Sequence, residues 1–339
     1  MRTTVTMLAI PGLFIAAGYA QSPDRTFYPT QPSTLGDLAS VANVLRTIVD
    51  LQAVSVDRAH NALVANGTAD QMALTEWLFH QLDRPVGQTP PSATPEYRMA
   101  GENGDGVRVF RMDPSVSETD LYVLASAIMN ISDAQRTSQY ASRRASVVRS
   151  SMDRLDAAEW LFHQLSMPAG QTLSADSPAY HPVAFKNEDN PVIRVFRVAP
   201  NISVPALSGV ITAVRTTTDV QRVSRYEAAK ALAMRGSAVK VAAAEWLIHE
   251  LGKPADAAQL AAKHEYQMPG LADGVVRVFY PARGNAQDVS ALTTQIRTTT
   301  QNARVCPLEE PRHAIVLRGR PDQMPPTEAL VAKFDAAGR

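Results

Sequence analysis

Three times the chain sets a glutamate and a histidine one helical turn apart: Glu76 with His80, Glu159 with His163, and Glu245 with His249. On an α-helix this spacing brings a carboxylate and an imidazole to one face, where each can donate a ligand to a zinc ion. A zinc site needs a third ligand, and none sits at a characteristic spacing. The His-Glu-x-x-His pattern of zinc proteases is also missing. The plainer reading is a hydrogen-bonded pair on the back of a helix, worth a few tenths of a kcal/mol. Other chemistry is sparse. The chain has no glycine-rich phosphate loop, no Gly-x-Ser-x-Gly elbow and no Cys/His cluster. Its one cysteine, Cys306, lies in an apolar strand-like run and reads as a buried thiol. Asn66-Gly67-Thr68 matches a glycosylation sequon but reads as a hairpin exit and a helix cap. The expectation is a non-enzymatic protein with no catalytic, cofactor-binding or metal-binding residues. The alternative is an exported metal-binding protein or enzyme using the Glu/His pairs.

The elements around these pairs repeat. The tag Glu-Trp-Leu-x-His-x-Leu contains Trp77, Trp160 and Trp246, and a worn fourth copy has Ala329 in that place, giving spacings of 83, 86 and 83 residues. A second landmark, Phe27, Phe110, Phe196 and Phe279, keeps the same spacings of 83, 86 and 83. Two landmarks in step define a repeated supersecondary unit. Each unit opens on a short strand in which apolar residues alternate with arginine, as in Val107-Arg108-Val109-Phe110. Thr34, Ser117, Ser203 and Asn285 then stand as helix N-caps, and the helices they open are expected to run to Arg46, Met129, Arg215 and Arg297. A hairpin follows, at 52–56 and 62–65 in the first copy, closed by Gly67, Gly236 and Gly319, with Ser150 in the second copy. The tag helix starts at a Thr68/Gln71 capping box, or at Ser151 and Ser237, and Pro85, Pro168 and Pro254 close the unit. The order is β-α-β-β-α. The expected α+β fold has four tandem modules at 25–85, 107–168, 192–254 and 275–335, with Pro325 and Pro326 shortening the last helix.

The joining segments, 86–106, 169–191 and 255–274, are rich in Pro, Gly, Ala and Ser. Each carries a tyrosine, Tyr97, Tyr180 or Tyr266, and is expected to hold a short ordered piece there, an edge strand. On the first tag helix Leu74, Leu78 and Leu82 form one stripe flanked by Trp77, which should cover the module's own sheet. Phe79 points off that stripe, as do Phe162 and Ile248. These three, with Tyr97, Tyr180 and Tyr266, form the expected interaction face, meeting a neighbouring unit or the joining segment.

Lys plus Arg and Asp plus Glu are 33 each, so net charge gives no pull toward nucleic acid or acidic lipid. Arg2, the apolar run 8–17 and the small residues ahead of Ala20 read as a secretory signal with cleavage after Ala20, hence a periplasmic or secreted protein. No later stretch reads as a transmembrane helix.

Asp57-Arg58-Ala59-His60-Asn61-Ala62-Leu63-Val64-Ala65-Asn66-Gly67-Thr68, followed by Gln71 and ending at Leu82-Asp83-Arg84-Pro85, resembles the N-domain of bacterial secretins. That pattern has Arg-x-Asn-x-Leu-Val before a Gly-Thr turn and a helix closing on Leu-Asp-x-Pro. The family's unit is a KH-like, ring-building β-α-β-β-α module. The resemblance covers the first unit and extends to the others through the repeat; Ile315-Val316-Leu317-Arg318-Gly319 keeps the strand and turn. The β-rich channel segment of secretins has no counterpart here. The resemblance implies periplasmic modules that contact proteins: envelope secretion or pilus components, or copies of the same chain. It carries over no functional residue. RNA-binding KH folds need a Gly-x-x-Gly loop, which this chain lacks at that place.

Overall fold

The structure, a computed structural model, describes residues 23–85, 94–100, 104–167, 179–180, 185, 191–198, 202–253, 263–310 and 312–337. The expected signal segment, 1–20, lies outside them.

The first module comprises β1 (Arg25–Phe27), α1 (Leu35–Val49), β2 (Ala53–Asp57), β3 (Ala62–Asn66) and α2 (Ala69–Leu82). The second adds an edge strand: β4 (Glu96–Arg98), β5 (Asp105–Arg111), α3 (Glu118–Ser132), β6 (Arg136–Tyr140), β7 (Ala145–Ser151) and α4 (Met152–Ser166). The third comprises β8 (Pro191–Arg197), α5 (Val204–Thr218), β9 (Arg222–Tyr226), β10 (Ala231–Ser237) and α6 (Ala238–Gly252). The fourth comprises β11 (His264–Gln267), β12 (Val275–Phe279), α7 (Ala286–Thr300), β13 (Val305–Leu308), β14 (Ala314–Gly319) and α8 (Met324–Ala336). The sheets are antiparallel, ordered β1-β3-β2, β4-β5-β7-β6, β8-β10-β9 and β11-β12-β14-β13. The fold is α+β with four β-α-β-β-α units. Among the described residues no helix is long and apolar enough to cross a membrane.

Local chemistry explains the boundaries. Thr34, Ser117, Ser203 and Asn285 each accept the amide three residues on, fulfilling the N-cap expectation. Thr68 and Gln71 form the reciprocal capping box. Ser151 and Ser237 hold the N-cap positions, but their hydroxyls make no cap bond. The first helices run three residues past the expected ends, to Val49, Ser132, Thr218 and Thr300. They stop at Asp50, Asp133, Asp219 and Gln301, all in the left-handed region, with φ of 70, 57, 58 and 50°. Asp tolerates that conformation better than most side chains. Pro325 and Pro326 sit in the first turn of α8, where their missing amides cost nothing.

Both faces of the later sheets are buried. In the second module Phe110 and Val148 point to the module's own helices, while Val107, Val109, Ala145 and Val147 point back into the core of the first module. Ile193, Val195, Ala231 and Ala233 likewise enter the second module's core, and Val276, Val278, Ala314 and Val316 the third's. Alternation along a strand supplies the two sets. The helix lying on this second face is the preceding module's first helix: α1 packs on β6, α3 on β9 and α5 on β13. The modules are therefore a continuous stack, each completing the core of the one before.

Candidate functional site

The tag residues resolve into three roles. The glutamates serve the first strand of their own module. Glu76 pairs with Arg25 at 2.9 Å, Glu159 with Arg108 at 2.8 Å and Glu328 with Arg277 at 2.5 Å, and Glu245 pairs with Arg194. The pairing thus survives even in the worn fourth copy. It replaces the expected Glu/His pair. Only Glu159 and His163 approach each other, at 3.8 Å, and His80, His163 and His249 are exposed. Among the described residues no group of three or more His, Cys, Asp or Glu stands together as a metal site.

The off-stripe aromatics correct the expected interaction face. Phe79 is 4% exposed and Phe162 9%, and each stacks on its own module's landmark phenylalanine, Phe27 or Phe110, with centroids 5.4 and 5.1 Å apart. Ile248 packs partly buried on the core shared by the third and fourth modules. The landmark phenylalanine of the first strand packs against this position, so Phe79 and Phe162 are core residues.

The tryptophans, expected to fill the sheet core, are instead half-buried on the joining tyrosines. Trp77–Tyr97, Trp160–Tyr180 and Trp246–Tyr266 have centroids 5.4, 5.5 and 5.6 Å apart. Tyr97 and Tyr266 stand on the edge strands β4 and β11, and Tyr180 forms an isolated bridge to Ile193. The expected edge strand is present at Tyr97 and Tyr266, and at Tyr180 a single bridge stands in its place; each ties a module's tag helix to the next module's sheet.

The junctions carry a further set of residues that reasoning from the tag did not reach. Each first-helix C-cap aspartate faces an arginine of the next module: Asp50–Arg136 at 2.8 Å, Asp133–Arg222 at 2.8 Å and Asp219–Arg304 at 2.7 Å. A second arginine, on the central strand, meets the same helix end. Arg149 donates to Ile48 O at 2.9 Å, Arg235 to Ile131 O at 2.6 Å and Arg318 to Asp219 Oδ2 at 2.8 Å. Cations at a helix C-terminus meet both the unpaired carbonyls and the negative end of the dipole. The hydrogen bond from Arg136 holds the Asp50 carboxyl below its ordinary range. The signal was present in the sequence: Arg149, Arg235 and Arg318 keep the repeat period, Arg304 and Gln301 fall one residue short of it, and the first module reads Ala53 and Asn66 at the arginine positions.

The third junction has its own chemistry. Arg111 and Arg197 donate to the tag-helix carbonyls of Gln81 and Gln164. The corresponding Tyr280 instead donates to Glu250 O at 3.4 Å. The Glu250 carboxylate, 2% exposed, meets His264 at 2.5 Å and Lys253 at 2.7 Å, and Arg312 lies 3.8 Å over the Tyr280 ring. Burial pushes the Tyr280 hydroxyl up to about 12. Cys306 faces this shared core, and burial raises its thiol too, away from nucleophilic chemistry.

Neither a family model nor a curated protein matches the chain. Among solved structures it is similar to a pilotin–secretin complex from ETEC, AspS–GspD, at 12% identity and a TM-score of 0.16, over 69% of this chain and 38% of that one. It is also similar to XcpQN012, at 14% identity and a TM-score of 0.22, over 72% of this chain and 100% of that one. An aspartate kinase from Synechocystis matches at 14% identity and a TM-score of 0.19, over 93% of this chain and 54% of that one. The chain thus spans well under half of the secretin chain in the first of these. These are distant likenesses.

Proposed function

We propose that this chain is an exported, non-enzymatic scaffold of the cell envelope, built from secretin-N-like modules and associated with a secretion or pilus assembly. The observation that carries this reading is the stack itself. The chain repeats one module and devotes a set of junction arginines, C-cap aspartates and Trp/Tyr pairs to fastening each copy to the next. Residues invested in this way serve geometry, and a fixed geometry is what a docking platform supplies. The Arg-x-Asn-x-Leu-Val and Gly-Thr pattern of the first module supports the family part of the proposal. The apolar run ahead of Ala20 supports export, with the mature protein in the periplasm or outside the cell. The test is fractionation of cells expressing the tagged chain, followed by crosslinking in the intact envelope. The expected result is a processed protein in the periplasmic fraction, crosslinked to components of an envelope assembly. A cytoplasmic, unprocessed protein with no crosslinked neighbour would sink the proposal.

A further inference from the structure

Among the described residues the β1 edge of the first module carries no added strand, while the β8 edge of the third is met by the Tyr180–Ile193 bridge. In the second module β4 lies along β5, with Val109 N–H donating to Pro95 O at 3.1 Å and Met99 N–H to Asp105 O at 3.0 Å. In the fourth module β11 lies along β12 in the same way. The two added strands share a sequence, Glu96-Tyr97-Arg98-Met99 and Glu265-Tyr266-Gln267-Met268. Their glutamates sit on the first-strand arginine: Glu96 to Arg108 at 2.7 Å and Glu265 to Arg277 at 3.4 Å. In the first module β1 is the sheet edge, and among the described residues nothing lies along it.

Side-chain exposure follows the added strand. Arg108 and Arg277, under their added strands, are 7 and 5% exposed, whereas Arg25 is 50% exposed. Tyr28 tells the same story. Its counterpart Tyr280 is 9% exposed, with the added strand's His264 edge-on to its ring at 5.1 Å, while Tyr28 is 61% exposed. The period places Leu13, Phe14 and Ile15 at the matching distance before β1, and they carry no acid to meet Arg25.

We propose that the β1 edge of the first module is a strand-addition site for an extended segment of a partner protein. The segment carries a glutamate opposite Arg25, preceded by a ring-bearing residue that lies on Tyr28. Backbone pairing along the edge supplies affinity and the alternating side chains supply selection. The partner is a different protein, because the Glu-Tyr-x-Met segments of a second copy are already committed to β5 and β12. The inference rests on the scaffold reading only in that the occupant is a polypeptide.

The test uses the full chain and a labelled synthetic peptide of residues 263–269, Lys-His-Glu-Tyr-Gln-Met-Pro, with binding read by anisotropy and located by hydrogen exchange. The expected result is saturable binding that protects residues 23–30. Arg25→Glu should weaken it about tenfold, the scale of one charge-assisted hydrogen bond. Changing the peptide's Glu to Lys should restore binding to the Arg25→Glu chain, which a merely unfolded variant cannot do. No protection of 23–30, or binding indifferent to Arg25→Glu, overturns the site. A concentration-dependent dimer that the peptide dissolves overturns the choice of a separate partner. The envelope crosslinking outcome bears on the scaffold reading whichever way this titration falls.

Discussion

At the scale of single residues, the tag is three functions interleaved on one helix, and they differ in energy. Phe162 is buried against Phe110, so Phe162→Ala should cost about 3–5 kcal/mol in chemical denaturation. His163→Ala removes an exposed ring 3.8 Å from its acid and should stay within about 0.5 kcal/mol. Replacing His80, His163 and His249 together should also leave the metal content of the purified protein unchanged. Stoichiometric zinc that vanishes in the triple variant would restore the metal reading. Alkaline pH offers a second handle. Burial raises the Tyr226 and Tyr280 hydroxyls to about 12 in the folded chain. Their favourable contribution is therefore complete below about pH 10, the ordinary tyrosine value, and is lost as pH rises through 12. Stability measured across that window should fall, and fall less steeply in Tyr280→Phe.

At the scale of elements, the strands and helices were legible because short-range signals specify them. The Val-Arg-Val-Phe alternation, the Thr34 and Ser117 caps and the Thr68/Gln71 box act within a few residues of themselves. What stayed hidden was the far face of each sheet. Val107 and Val109 alternate with Arg108 and Phe110 as a strand with one wet face would, yet the arginine side holds an ion-pair cluster and both faces are covered. No local pattern says which helix arrives from the neighbouring module. The Phe79 position was misread for the same reason: Phe27, which covers it, lies far away in the chain. The junction arginines allow a graded test. Arg235 is 3% exposed and donates to Ile131 O, so Arg235→Ala should cost about 2–3 kcal/mol. The side chain of Arg136 is 36% exposed, and Arg136→Ala should cost less than about 1 kcal/mol. Equal losses at the two sites would contradict the division into buried and exposed members.

At the scale of the whole molecule, the two outer faces of the stack differ from its inner ones. Among the described residues, the first module's outer sheet face presents Thr26, Ser55 and Asn66 beside Val64, with Thr26 at the position the second module fills with the buried Val109. On α7 the outward positions are Gln295 and Thr299, both exposed, where α1 has the buried Val44 and Ile48. Polar outer faces are how repeat stacks avoid growing end to end. The full chain should therefore run as a monomer in light scattering. A chain ending at residue 253 lays bare Ala206, Ala213 and Thr217 of α5, buried at the positions where α7 has the exposed Asp288, Gln295 and Thr299, and should self-associate. A monodisperse truncated monomer would refute the shared-core account. The sameness of the inner junctions also bears on how such a protein can change over generations. At every internal boundary a helix end capped by a left-handed Asp meets a pair of arginines, so this contact would re-form if a middle unit were duplicated or deleted in register, whereas the buried Glu250–His264 pair belongs to the third boundary alone. The terminal units, which lack one half of that handshake, cannot be exchanged inward without first acquiring it.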